Sequence, residues 1–155
     1  MKLTKLFPND CQKYEGHRVL IFIFAFFAVV STARSLLHIF LPDGGSASIA
    51  GITLSGTASG AIIFIFAWAG IYQLIWACVQ WLVILKYRGF IPLLSLMLLL
   101  EQMALFLLPF FKPSLSGNLA HTPPEAIANK ILLPVLTILF AASLFRQKSK
   151  IEGAQ

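Results

Sequence analysis

Four long apolar runs, at 19–40, 61–85, 90–111 and 126–145, leave a chain of 155 residues few ways to fold. The first is broken by Ser31, Thr32, Arg34, Ser35 and His38. The second holds Gln73 and Gln80, the third Glu101 and Gln102 near its middle, and the fourth Asn129, Lys130 and Pro134. A helix crosses the hydrocarbon core of a bilayer with about 20 predominantly apolar residues, so each run is expected to span. Only structures that satisfy their own backbone survive in that medium, and here that means helices. Composition agrees: 58% of the residues are hydrophobic and 12% charged, against about 25% charged in soluble domains. The expected fold is all-α: an integral membrane four-helix bundle at 19–145, preceded by an arm at 1–18 and followed by a basic tail at 146–155.

The basic residues set its direction. Lys2, Lys5, Lys13 and Arg18 precede the first run, Lys86 and Arg88 lie between the second and third, and Arg146, Lys148 and Lys150 follow the fourth. These share one side; Lys112 and Lys130 fall on the other. Cytoplasmic flanks carry the excess of Lys and Arg, which predicts both termini in the cytoplasm (N-in/C-in). A net charge of +6 would suggest nucleic acid in a soluble protein. Here the cations sit at the ends of apolar runs, so no nucleic-acid partner is expected. A cleaved signal peptide is the competing reading of the first run. That run exceeds the usual apolar region of about 7–15 residues and contains Arg34, although "GGSASIAG" could mimic a cleavage site. Cys11 and Cys78 form no CxxC pair, and free thiols are expected.

The connections differ in character. "KYRG", at 86–89, is a tight turn that makes the second and third helices an antiparallel hairpin, and Pro92 suits the first turn of the third. The loop at 41–60 is rich in Gly, Ser and Ala, with Asp43 its sole charge. Its half-apolar middle (Ile49, Ala50, Ile52, Leu54) fits packing on the bundle or the headgroups, and a plain flexible loop stays open. In "TPPEA", Thr122 reads as a helix cap and Glu125 as a first-turn acid.

Polar residues inside the runs fall on stripes. At 100° per residue, Ser31, Arg34, Ser35 and His38 share one arc of the first helix, and Gly70, Gln73, Ala77 and Gln80 share one of the second. Ser95, Glu101 and Gln102 lie within about 120° on the third. Each stripe is expected to face the bundle axis, where small and polar residues allow close helix contact. Arg34 lies about 23 Å from the inner end of its helix and Glu101 about 16 Å. Ionised groups at such depth are costly. The sequence therefore predicts an intramembrane polar network of Arg34, His38, Gln73, Glu101 and Gln102, with Arg34 and Glu101 paired directly or through an amide or water. Arg34 snorkelling outward beside His38 is the structural alternative. Arg34, His38 and Asp43 make a possible outer-face site, but His38 with Asp43 offers too few ligands for a metal. No metal, cofactor or catalytic residue is expected. Trp81 and Tyr87 suit the membrane interface, and Trp68 and Trp76 suit filling of core or lipid-facing volume.

"RSLLH", "PDGG" and "SIA", then "LKYRGFIPL" and the late Asn129 to Pro134, resemble a group of small bacterial inner-membrane proteins with the four-helix layout of the DoxX-like group. The resemblance spans most of 30–135. It implies a bacterial inner membrane and four helices, and carries over no catalytic residue. Three functional readings follow. The first is a non-enzymatic accessory or structural membrane subunit, partnered by the lipid bilayer and by another membrane protein or a second copy. The second is a small transporter with Glu101 as its proton- or cation-responsive group. The third is a membrane enzyme binding a lipid or quinone near Arg34, His38 and Asp43.

Overall fold

A computed structural model describes residues 6–8, 10–112 and 124–145, the side chains of Glu125 and Ala126 apart. It contains four helices: α1 (Val19–Phe40), α2 (Ser59–Leu85), α3 (Ile91–Phe111) and α4 (Pro124–Ser143), with a 3-10 turn, Arg88–Phe90, leading into α3. Each begins and ends within two residues of its apolar run. α1, α2 and α3 have no side-chain cap; their last turns close through backbone bonds from Leu41 to Leu37, Lys86 to Leu82 and Lys112 to Leu108, each 3.0 Å. Pro92 stands at the start of α3, where its missing N–H costs no helix bond. The expected cap Thr122 and the basic tail from Arg146 lie outside the described residues.

The bundle is two antiparallel pairs. α1 runs along α2, and α3 along α4. Gly70 is what lets the first pair close. A Cβ there would stand 2.8 Å from the His38 Cβ and 3.1 Å from the Ser35 carbonyl oxygen. Ala28 and Ala77 are fully buried, and such small residues bring helix backbones together in lipid. Farther along, the Trp81 indole N–H donates to Thr32 Oγ1 at 3.1 Å. Between α3 and α4, Ser95 Oγ and Ser143 Oγ meet at 3.0 Å. Ser95 is in the second turn of α3 and Ser143 is the last residue of α4, so these two ends are level. The pairs share an apolar cluster near this end, built from Leu20, Phe24 and Ala28 of α1, Ile84 of α2, Leu94 of α3 and Leu139 of α4.

The outward faces are apolar. Phe22, Phe26, Phe64, Leu85 and Phe110 are all more than 60% exposed. A water-soluble protein does not present so much contiguous apolar surface; lipid tails solvate it without cost. Three helical stretches are long and apolar enough to cross a membrane: Val19–Phe40, Ser59–Leu85 and Arg88–Phe111. In α4 the described apolar stretch is the shorter Ile127–Ser143.

The arm before α1 is folded against the bundle. The Gly89 N–H donates to the Cys11 carbonyl at 2.9 Å, and a Cβ on Gly89 would stand 2.7 Å from the Asp10 carbonyl oxygen. The arm therefore crosses under the α2–α3 turn, and glycine is what the turn tolerates there. Tyr14 packs on the shared apolar cluster. Its hydroxyl is buried with no bond, and that burial pushes its pKa up to about 12.

Candidate functional site

The polar residues of α1 are tied to the loop that follows it. After Leu41 the chain forms a hook, and Asp43 organises it. Asp43 Oδ1 accepts from the Gly45 N–H (3.0 Å), and Oδ2 accepts from the N–H groups of Ala47 (3.0 Å) and Ser48 (2.6 Å). Its carbonyl accepts from the Ser46 N–H and hydroxyl. Bonds from backbone N–H groups, Ser48 foremost, hold the Asp43 carboxyl down at about 2. Gly44 and Gly45 take φ of 60° and 77°, values in which a side chain is strained. Gly44 is also pressed on α2, where an added Cβ would meet the Ile63 carbonyl and Phe66 Cβ at 3.1 Å. The hook closes through bonds from Ala50 to Gly45 and Ile52 to Ser46, both 2.9 Å. Within 41–60, the turn at Gly44 and Gly45 packs on the bundle, against Phe66 of α2 and His38 of α1.

His38 joins hook to helix. Its Nδ1 lies 2.7 Å from the Gly44 carbonyl oxygen, which can only accept, so Nδ1 carries the hydrogen. Nε2 then accepts from the Arg34 Nε–H at 3.3 Å. A neutral ring with its proton on Nδ1 satisfies both bonds. The ring meets the Phe66 ring edge-on at 5.6 Å between centroids and is 6% exposed. Arg34, His38 and Asp43 thus belong to one local structure, and each makes bonds that hold it together. On the same stripe, Ser35 Oγ donates to the Ser31 carbonyl at 2.6 Å.

On α2, Gly70, Ala77 and Gln80 are buried and Gln73 is half-buried. Gln80 is 1% exposed, yet neither its Nε2 nor its Oε1 has a hydrogen-bond partner; Gln102 Nε2 is likewise buried and unpartnered. On α3 the expected stripe splits. Ser95 and Gln102 face inward, whereas Glu101 is exposed. A step of 100° separates Glu101 from Gln102, enough to carry the carboxylate out of the interior. Glu101 Oε2 accepts from the Trp76 indole N–H at 3.0 Å. Arg34 thus donates to His38 one turn along α1, and Glu101 accepts from Trp76 of α2.

Trp76, expected as filler, and Trp81, expected at the interface, each have a hydrogen-bond partner as well. An indole N–H in hydrocarbon needs an acceptor, and the second and third runs offer few. Trp76 with Glu101 and Trp81 with Thr32 were pairs that scarcity alone could have suggested. Cys11 is half-buried and Cys78 exposed, both as free thiols. Among the described residues no three His, Cys, Asp or Glu are grouped to hold a metal. No family model matches the chain, and no curated protein or solved structure matches it either. The class defined by the fold is an all-helical protein with three helices able to cross a membrane.

Proposed function

We propose that this is a small multi-pass protein of the bacterial inner membrane, an accessory or structural subunit without catalytic chemistry, with both termini in the cytoplasm. One observation carries the reading: polar side chains within the helices form bonds that join elements. Arg34 and His38 hold the hook, Trp81 ties α2 to α1, and Ser143 ties α4 to α3. Groups engaged in this way position a scaffold rather than a reaction. The N-in/C-in arrangement requires α4 to cross. In its favour, α4 has 20 residues, about 30 Å of helix, and ends level with the start of α3. The likeness to small bacterial inner-membrane proteins of DoxX-like layout rests on the sequence motifs.

A second reading, a small proton- or cation-responsive transporter, draws on Glu101. Its carboxylate is mid-helix and exposed beside Trp76, where a cation crossing the membrane could meet it. Affinity purification from native membranes in mild detergent separates the two. The subunit reading expects a reproducible membrane-protein partner that is retained in Glu101→Gln. A co-purifying small cation or drug-like molecule lost in Glu101→Gln, with no protein partner, would replace it with the transporter. A bound lipid or quinone held through Arg34 would instead favour a membrane enzyme.

A further inference from the structure

We propose that the N-terminal arm and the α2–α3 turn together form a site for the headgroup of an anionic phospholipid, with Lys13, Lys86 and Arg88 as its cations. The docked arm is what distinguishes this site from a merely charged flank. The Gly89 N–H donates to the Cys11 carbonyl at 2.9 Å, so two segments far apart in sequence meet through their backbones. Arg88 adjoins that bond, Lys86 precedes Gly89 by three residues, and Lys13 follows Cys11 by two. At no more than about 3.6 Å per residue, their Cα atoms stand within about 11 Å of the bond. The arm is anchored on both sides of Cys11, because Leu6 is buried and Tyr14 packs on the shared apolar cluster.

Two of the cations are oriented as well as near. Arg88 Nε donates to the Ile84 carbonyl at 2.9 Å, which holds the guanidinium against the last turn of α2. Lys86 Nζ stands 5.4 Å from the centroid of the Tyr87 ring, and tyrosine is a residue of the membrane interface. Arg18 precedes α1 at the same end, since α1 runs antiparallel to α2. All four cations are exposed. Against them on the arm stand Asp10 and Glu15; the Asp10 carboxylate is turned onto its own segment, where it accepts from the Gln12 N–H at 2.9 Å. Directly beyond the cations the surface is apolar: Val19, next to Arg18, is 65% exposed, and Leu85, next to Lys86, is 67% exposed. A cationic edge resting on bare apolar helix complements one kind of molecule, with a phosphate above and acyl chains below. A soluble anion would use only the upper half, and a zwitterionic lipid would gain less from the charges. Arginine takes a phosphate bidentately and lysine takes it as a point charge, and each cation near an anionic surface strengthens attachment about fivefold.

The test is native mass spectrometry of the full chain in mild detergent, titrated with phosphatidylglycerol or with phosphatidylcholine of the same acyl chains. Phosphatidylglycerol is expected to bind in preference. Lys86→Gln together with Arg88→Gln is expected to weaken it by about fivefold for each cation removed. Lys112→Gln together with Lys130→Gln removes as much charge away from this end and is expected to change nothing. Gly89→Val keeps every charge but drives a side chain into the Asp10 and Cys11 carbonyls, so it is expected to weaken binding too. No preference between the lipids, equal losses in the two double variants, or full binding in Gly89→Val overturns the inference. Should Gly89→Val not fold, Lys13→Gln decides: a loss of about fivefold supports the arm's part in the site, and wild-type binding overturns it. The inference rests on the membrane-spanning reading, which flotation with phosphatidylcholine vesicles tests separately. A chain that floats but shows no lipid preference overturns the inference alone; one that stays in solution overturns both.

Discussion

At the scale of single residues, the clearest anomaly is Gln80. A primary amide buried at 1% exposure with both polar atoms unpartnered carries an uncompensated desolvation cost of about 1–3 kcal/mol per group. Leucine has nearly the same volume and no such cost. Gln80→Leu is thus expected to raise thermal stability in detergent by on the order of 1 kcal/mol, and a lower melting temperature would mean that the amide holds a partner. Asp43 behaves in the opposite sense, because its bonds reward the charged form. A carboxyl lowered from 3.8 to about 2 contributes stability that is complete above pH 4 and is lost as pH falls through the interval to about 2. The backbone amide resonance of Ser48, whose N–H donates to Asp43 Oδ2 at 2.6 Å, is expected to shift across that interval in nitrogen NMR of the full chain. Asp43→Asn, which cannot ionise, is expected to remove the shift; a shift that persists in the variant would place the titration elsewhere.

At the scale of elements, close approach of α1 and α2 depends on Gly70. Leucine there would drive a branched side chain into His38, Ile39 and the Ser35 carbonyl; overpacking of this kind costs about 1–3 kcal/mol. Gly70→Leu is expected to lower the melting temperature and expose the hook to protease, whereas Gly60→Leu, with open space around it, is expected to be silent. Equal effects at both positions would show that the pair is not held where Gly70 lies. The helix boundaries were legible in the sequence because some 20 consecutive apolar residues have one stable form in hydrocarbon. The α2 stripe was legible for the same reason, since small and polar residues at helical spacing mark a contact face. Glu101 was not: Ser95, Glu101 and Gln102 spread over an arc wide enough to straddle inside and outside, and periodicity does not say which edge is lost. The hook was half legible. "PDGGS" signals a turn, but its form depends on which backbone N–H groups Asp43 gathers, and no spacing rule states that. The folded arm was hidden for another reason: its anchor is the bare backbone at Gly89.

At the scale of the whole molecule, two hairpins share one apolar cluster and one set of ends. The N-terminal arm, the α2–α3 turn and the Ser95–Ser143 contact all lie at that end, with Lys13, Arg18, Lys86 and Arg88 beside them; the hook lies at the other. If α4 crosses as α3 does, the exposed apolar faces of all four helices meet lipid and both termini share the cationic side, as the distribution of Lys and Arg predicts. If α4 lies along the surface, its apolar face and the Ser143 contact with α3 lose their reason. The decisive measurement is labelling of single cysteines by a membrane-impermeant thiol reagent in intact cells and in inverted membrane vesicles, with one cysteine at Ser48, one in the arm at Gln12 and one after α4 at Gln147. The account predicts that Ser48→Cys is labelled from outside, and that Gln12→Cys and Gln147→Cys are labelled together from the cytoplasmic face. Labelling of Gln12→Cys and Gln147→Cys from opposite faces would contradict it.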